Sequence, residues 1–202
     1  MIKYSDIEPR KDAFIFELDD VLYPEKDYLY QVYYLFTAFL EYTELINAKK
    51  ATNLMVNTYL SEGKDAVFDA LCKELGINEK YRYNFDHLQK TAQLPLKLLL
   101  NQDMLDLLQE IVVDRKKIFI VTNGDPEQQL NKIRQTEWNG LEPYLICYFA
   151  EEIAPKPETD CIDLLIRDHN LKRRNILMVG NSDIDTACAE GCGVDYLKPS
   201  EF

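Results

Sequence analysis

Short apolar runs recur along the chain, and each one ends at polar residues. Four runs have the composition of buried β-strands, at residues 13–16, 118–121, 145–149 and 176–179. Apolar residues at helical spacing occur between them, at residues 104–112 and 160–167. Alternating buried strands and helices are typical of a parallel sheet that is covered on both faces. The pattern therefore predicts an α/β fold with an open, doubly wound parallel sheet.

A long segment separates the first predicted strand from the second. Residues 23–93 are too many for a simple crossover between neighbouring strands. Successive stretches of this segment have helical periodicity, beginning with Leu29, Val32, Tyr33, Phe36 and Leu40. We therefore predict an all-helical insert at residues 23–93 and an α/β core made of residues 1–22 and 94–202.

Four polar segments follow the predicted strands. Ligands of doubly wound sheets bind in the crevice outside the carboxyl ends of the strands, so these segments are expected to converge. They are Glu17-Leu18-Asp19-Asp20-Val21, Thr122-Asn123-Gly124, Ala154-Pro155-Lys156-Pro157 and Gly180-Asn181-Ser182-Asp183-Ile184-Asp185. Phosphoryl transfer needs a nucleophile, an acid for the leaving oxygen and positive charge near the phosphoryl oxygens. The four segments together offer these groups.

In order and spacing, the four segments resemble the motifs of the haloacid dehalogenase-like (HAD) superfamily of hydrolases, over nearly the whole chain. The resemblance implies a Rossmann-like core and a helical C1-type cap that closes over the site. It places Glu17 at the nucleophile position and Asp19 at the general acid/base position. The implied phosphoryl-binding residues are Thr122, Asn123, Gly124 and Lys156, of which Thr122 and Lys156 also count as catalytic. The implied Mg²⁺ ligands are Glu17, Asp19 through its main-chain carbonyl, Asn181 and Asp185.

Two residues depart from the family pattern, because Glu17 and Asn181 stand where the family has aspartates. The extra methylene of Glu17 moves its carboxylate by roughly 1 Å, and such a displacement can cost about 10²-fold in rate. Asn181 keeps a carbonyl oxygen but removes a negative charge, whereas Mg²⁺ favours anionic oxygens. We therefore expect Mg²⁺ to be held weakly or lost, and hydrolysis to be weakened.

Three functions remain open at this point. The first is a phosphate monoester hydrolase of weakened activity, acting on a small phosphorylated metabolite. The second is a catalytically silent module that binds a phosphate ligand or regulates another protein. The third is a metal-independent haloacid dehalogenase, since those relatives lack an acid at the position of Asn181. Asp19 disfavours the dehalogenase, because dehalogenation releases no alkoxide that needs a proton.

Charge and composition exclude some classes of binding partner and predict where the protein is located. The 202 residues carry a formal net charge of -12, which would repel a nucleic-acid backbone. The basic run Lys172-Arg173-Arg174 is interpreted as a solvated loop. The five cysteines form no Cys-x-x-Cys pair, and no secretory signal or long apolar stretch is present. We therefore expect a cytoplasmic protein that binds neither nucleic acid nor membrane; the sequence carries no signature of its oligomeric state.

Overall fold

The computed structural model describes residues 4–199 of the chain. These residues form two compact units. One unit contains the chain up to Glu25 and from Leu98 onward, and the other is Lys26–Lys97. The first contains the sheet and the second is helical, while the role of the helical unit as a cap remains a prediction.

The first unit is built on a five-stranded sheet in which every neighbouring pair of strands is parallel. The strands in chain order are β1 Ala13–Phe16, β2 Leu98–Leu99, β3 Lys117–Thr122, β4 Thr136–Glu137, β5 Leu145–Phe149, β6 Ile176–Val179 and β7 Asp195–Leu197. The order in the sheet is β5-β3-β1-β6-β7, and β2 pairs separately with β4. The predicted α/β fold with a parallel sheet is confirmed.

Three of the predicted strands have the predicted bounds, and the second extends to Lys117–Thr122. Strand β7 was not predicted, because its three residues include only one aliphatic side chain and form no apolar run. It forms because its backbone pairs with β6, in the register Met178 opposite Tyr196. Pairing with a strand distant in sequence stabilises β7, although its own residues have no strand pattern.

Eight α-helices accompany the strands in residues 4–199. They are α1 Glu25–Glu44, α2 Ala48–Glu62, α3 Val67–Leu75, α4 Arg82–Thr91, α5 Gln102–Val113, α6 Pro126–Gln135, α7 Asp160–Asp168 and α8 Asp183–Cys192. Helices α7 and α8 cover one face of the sheet, where Cys161, Leu165 and Cys188 pack with Ile15 and Phe119. Helix α5 packs against β3. None of the eight helices is long and apolar enough to cross a bilayer.

The helical unit has an aromatic core of its own. The ring of Phe85 lies 4.9 Å from that of Phe36 and 5.7 Å from that of Phe68, measured between centroids. All three side chains are buried. Asn47 caps the N-terminus of α2 by accepting a hydrogen bond from Lys50 N–H (2.8 Å). The unit therefore has the packed interior that a stable helical array requires.

Candidate active site

Glu17 and Thr122 lie at the same edge of the sheet. Glu17 directly follows β1, and Thr122 is the last residue of the neighbouring strand β3. The backbone N–H of Glu17 donates to the carbonyl oxygen of Val179 in β6 (3.0 Å). The main chain of Glu17 is thus fixed by the sheet, and only its side chain is free to adjust.

Three donors surround the carboxylate of Glu17. Its Oε1 accepts hydrogen bonds from the backbone N–H of Leu18 (2.8 Å) and from the hydroxyl of Thr122 (2.5 Å). Its Oε2 accepts from the ammonium group of Lys156. Only 9% of Glu17 is exposed. Groups from three separate chain segments therefore satisfy one buried carboxylate.

Lys156 links Glu17 to a second carboxylate. Its Nζ also donates to Oδ1 of Asp185 (2.5 Å), and only 3% of Lys156 is exposed. The side-chain amide of Asn123 holds the backbone of Lys156 from both sides, accepting from its N–H and donating to its carbonyl oxygen, each at 2.9 Å. Asn123 therefore positions Lys156, while its predicted contact with substrate stays a prediction. Gly124 adopts a positive φ of 104°, which glycine tolerates best, where the chain turns towards α6.

Asp185 is held by the first turn of α8. Ser182 and Asp185 form a reciprocal capping box at the N-terminus of this helix. Oδ2 of Asp185 accepts from the hydroxyl of Ser182 (2.6 Å) and from its backbone N–H (3.2 Å). A Cβ atom at Gly180 would lie 2.6 Å from the Cβ of Asp185, so only glycine fits there. The local structure therefore fixes Asp185 facing Lys156.

Asp19, which is partly buried, contacts two buried polar side chains that were not predicted, Gln129 and Lys132. Its Oδ2 accepts from Nζ of Lys132 (2.6 Å) and from Nε2 of Gln129 (3.0 Å). Gln129 also donates to Oγ1 of Thr122 (2.7 Å), so these side chains adjoin the donors around Glu17. Gln129 and Lys132 are each 1% exposed. Their spacing of three residues on α6, the helix that follows Thr122-Asn123-Gly124, is the signal that could have identified them.

The pKa values follow from one ammonium group placed between two carboxyl groups. Burial raises the pKa of Glu17, against the opposing effects of Lys156, Thr122 and Leu18. Burial acts on Asp185 in the same direction, but Lys156 and Ser182 outweigh it and hold the pKa of Asp185 below its ordinary value. Burial disfavours charged Lys156, yet Glu17 and Asp185 together raise its pKa. Asp185 is therefore the more strongly ionised partner of the lysine.

The side chains present do not fit a Mg²⁺ ion. Both oxygens of Glu17 and both of Asp185 already accept hydrogen bonds, including those from Lys156. The amide nitrogen of Asn181 donates to the main-chain oxygen of Asp20 (3.0 Å). One buried carboxylate oxygen, Oδ1 of Asp19, lacks a partner within residues 4–199. Mg²⁺ demands six oxygen ligands in octahedral geometry, and the same residues contain no cluster of three or more acidic, histidine or cysteine side chains that could hold a metal.

A family model described as haloacid dehalogenase-like hydrolase matches residues 14–198, which is most of the chain and includes all four polar segments. The chain belongs to the haloacid dehalogenase-like hydrolase family. The resemblance inferred from the four segments is thereby confirmed. The family model does not assign the cap, the role of Glu17 or the substrate.

Solved structures of HAD-like proteins share the fold at low sequence identity. The putative HAD-hydrolase YfnB from Bacillus subtilis, in a form bound to magnesium, is 19% identical and has a TM-score of 0.61; the match covers 93% of this chain and 86% of that one. A hydrolase from Streptococcus pneumoniae TIGR4 is 16% identical, with a TM-score of 0.57 and coverage of 93% and 92%. L-2-haloacid dehalogenase from Xanthobacter autotrophicus is 16% identical, with a TM-score of 0.53 and coverage of 92% and 76%. A comparison with curated proteins gives no match.

Proposed function

We propose that this HAD-family protein carries a phosphate-ester site of the phosphatase lineage, whose hydrolytic turnover is strongly reduced by Glu17 and Asn181. The ligand would be a small phosphorylated metabolite. The supporting observation is the placement of Asp19, two residues after Glu17 and connected to Thr122 through Gln129. An acid at this place serves ester hydrolysis, in which the leaving oxygen needs a proton. It has no corresponding use in dehalogenation, although the structural relatives include dehalogenases.

A silent binding module is the second candidate, and the environment of Glu17 favours it. A carboxylate nucleophile must present an oxygen to the phosphorus atom. Both oxygens of Glu17 are instead engaged by Leu18, Thr122 and Lys156. In this case the ligand would displace Glu17 from Thr122 and Lys156, and the protein would gain stability from the ligand without turnover.

Restoring both aspartates tests the proposed function. We expect the double variant Glu17→Asp/Asn181→Asp to release phosphate from a panel of phosphate esters with Mg²⁺ at least about 100-fold faster than the wild type, because the carboxylate returns by roughly 1 Å and the metal site regains a charge. The measurement is continuous phosphate detection with sugar phosphates, nucleoside monophosphates and p-nitrophenyl phosphate. Adding Asp19→Asn to the double variant should abolish the gain.

Two outcomes would contradict the proposal. One is wild-type phosphate release at about 1 s⁻¹ or faster, which is within the usual range of enzymes. The other is a folded double variant that neither hydrolyses nor binds any ester of the panel. Glu25→Asp is the matched control, since it shortens another partly buried glutamate of the same unit by one methylene, and it should not increase phosphate release.

A further inference from the structure

The donors around Glu17 have the form of an anion receptor. A backbone N–H, a hydroxyl and an ammonium group converge on one carboxylate from Leu18, Thr122 and Lys156. Thr122 is 1% exposed and Lys156 is 3% exposed, so bulk water does not replace the carboxylate as their partner. Buried donors that lose an acceptor are destabilised, so these donors favour an oxyanion at this place.

The donors are held in place by groups other than Glu17. Gln129 donates to the Thr122 hydroxyl (2.7 Å), which leaves the hydroxyl proton directed to Glu17. Asp185 accepts from Lys156 (2.5 Å), and Asn123 holds the lysine backbone. Removal of the Glu17 carboxylate would therefore leave the side-chain donors of Thr122 and Lys156 in their positions.

We propose that Leu18 N–H, Thr122 and Lys156 form an oxyanion receptor, and that the side chain of Glu17 is its built-in occupant. The carboxylate is attached to the chain beside the receptor, so its effective concentration there exceeds that of any dissolved ion. An external phosphate or carboxylate would have to displace it. This inference deepens the proposed function, and rests on it only in giving Thr122 and Lys156 a role in binding phosphate.

The length of the Glu17 side chain places its carboxylate inside the receptor. Glu17→Ala removes a CH₂–COO⁻ group, which has the size and charge of acetate. Acetate should therefore fill the space and restore the three hydrogen bonds, and inorganic phosphate should engage the same donors. Glu17→Gln keeps the shape but replaces an anion by a weaker neutral acceptor, and an external oxyanion should displace this amide more easily than the native carboxylate.

Calorimetric titration with sodium acetate and sodium phosphate, at constant ionic strength, tests the proposal. We expect affinity for both ions to rise in the order wild type, Glu17→Gln, Glu17→Ala, with at least a 10-fold gain for Glu17→Ala over the wild type. Adding Thr122→Val to Glu17→Ala should remove most of the gain. Glu137→Ala removes an exposed glutamate of the same unit, changes the net charge equally and should show no gain.

Circular dichroism shows whether each variant is folded. If Glu17→Ala is unfolded, the comparison of Glu17→Gln with the wild type is the test. The proposal is overturned if wild type and folded variants bind these ions equally, or if folded variants bind neither ion. The two proposals fail separately. If Glu17→Ala binds acetate and phosphate while folded Glu17→Asp/Asn181→Asp neither hydrolyses nor binds any ester, the receptor is supported and the proposed function is contradicted. Hydrolysis by the double variant without anion binding by Glu17→Ala would do the reverse.

Discussion

One methylene group at position 17 determines where a carboxylate lies. The main chain of Glu17 is fixed by its hydrogen bond to Val179, so the additional carbon extends the carboxylate outward from β1. There it meets the hydroxyl of Thr122 and the ammonium group of Lys156. An aspartate at this position would end one bond earlier and leave these donors for another acceptor. If the proposed receptor is correct, the extra methylene changes which group occupies the site without changing the fold.

The buried charges predict a strong dependence of stability on Lys156. Lys156→Met should lower the free energy of unfolding by about 3–5 kcal/mol, because Glu17 and Asp185 would remain buried without their cation. Adding Glu17→Gln should restore at least about 1 kcal/mol, since one of the two uncompensated charges is then removed. Urea unfolding of the single and double variants measures both effects. Equal stability of Lys156→Met and the wild type would contradict this account of the network.

Asp185 predicts a loss of stability in acid. Its pKa in the folded protein lies below the ordinary value of 3.8, so the unfolded chain binds its proton more readily. The stability that this group contributes is present above pH 3.8 and is lost as the pH falls through its folded pKa. The effect of Glu17 has the opposite sign and begins above its ordinary value of 4.5, so the two are separable.

Urea unfolding at a series of pH values from neutral into this acid range measures the effect. Asp185→Asn should flatten the dependence below pH 3.8. Asp183→Asn, at an exposed neighbour in the same helical turn, is the charge-matched control and should leave it unchanged. A wild-type slope retained by Asp185→Asn would show that other groups cause the acid dependence.

The residues of the site could be predicted from the sequence to different extents. Glu17, Thr122, Lys156 and Asp185 could be placed together because each follows a recognisable apolar strand, and they do form one network. Gln129 and Lys132 were missed because a glutamine and a lysine on a polar helix are most often solvated. The fold shows that both are buried beside Asp19.

Among the elements, helix α8 connects local sequence most directly to the site. Its capping box satisfies the helix N-terminus and orients Asp185 with the same two side chains. The close approach at Gly180 removes the space in which Asp185 could turn away. The first turn of α8 therefore determines the orientation of the Asp185 carboxylate in the site.

Ser182→Ala should lower the free energy of unfolding by about 1–2 kcal/mol, since it removes both the cap and the charge-assisted bond to Asp185. Asn47→Ala is a matched control, because within residues 4–199 Asn47 caps α2 by a similar bond, to the backbone N–H of Lys50, without a carboxylate partner. Denaturant unfolding should give the larger loss for Ser182→Ala. A loss equal to or smaller than that of Asn47→Ala would mean that the bond to Asp185 contributes no net stability.

Elements with strong periodicity were predictable, and those formed by pairing were not. The strand at Ala13–Phe16 is apolar at every position and has the predicted bounds. Strand β7 is short, begins with an exposed aspartate and depends on β6 for its hydrogen bonds. Local composition cannot report a partner that lies elsewhere in the chain, so β7 appeared only in the structure.

At the scale of the whole molecule, the chain keeps a HAD-family fold, and the proposed function alters the chemistry of its central site. The sheet, the four polar segments and the helical unit are all present, and the family model extends over residues 14–198. Fold depends on many apolar contacts, whereas the site depends on a few polar atoms, so two substitutions can change function without changing architecture. A positively charged lysine is the group that bridges Glu17 and Asp185.

The central claim is that the carboxylate of Glu17 occupies the oxyanion receptor and that no Mg²⁺ is held beside it. A crystal structure determined in the presence of Mg²⁺ and a phosphate mimic tests this claim most directly. The account predicts that the carboxylate of Glu17 still contacts Leu18 N–H, Thr122 and Lys156, with neither ion bound between Glu17 and Asn181. Octahedral density between these two residues, with Glu17 turned away from Thr122 and the mimic in its place, would contradict it.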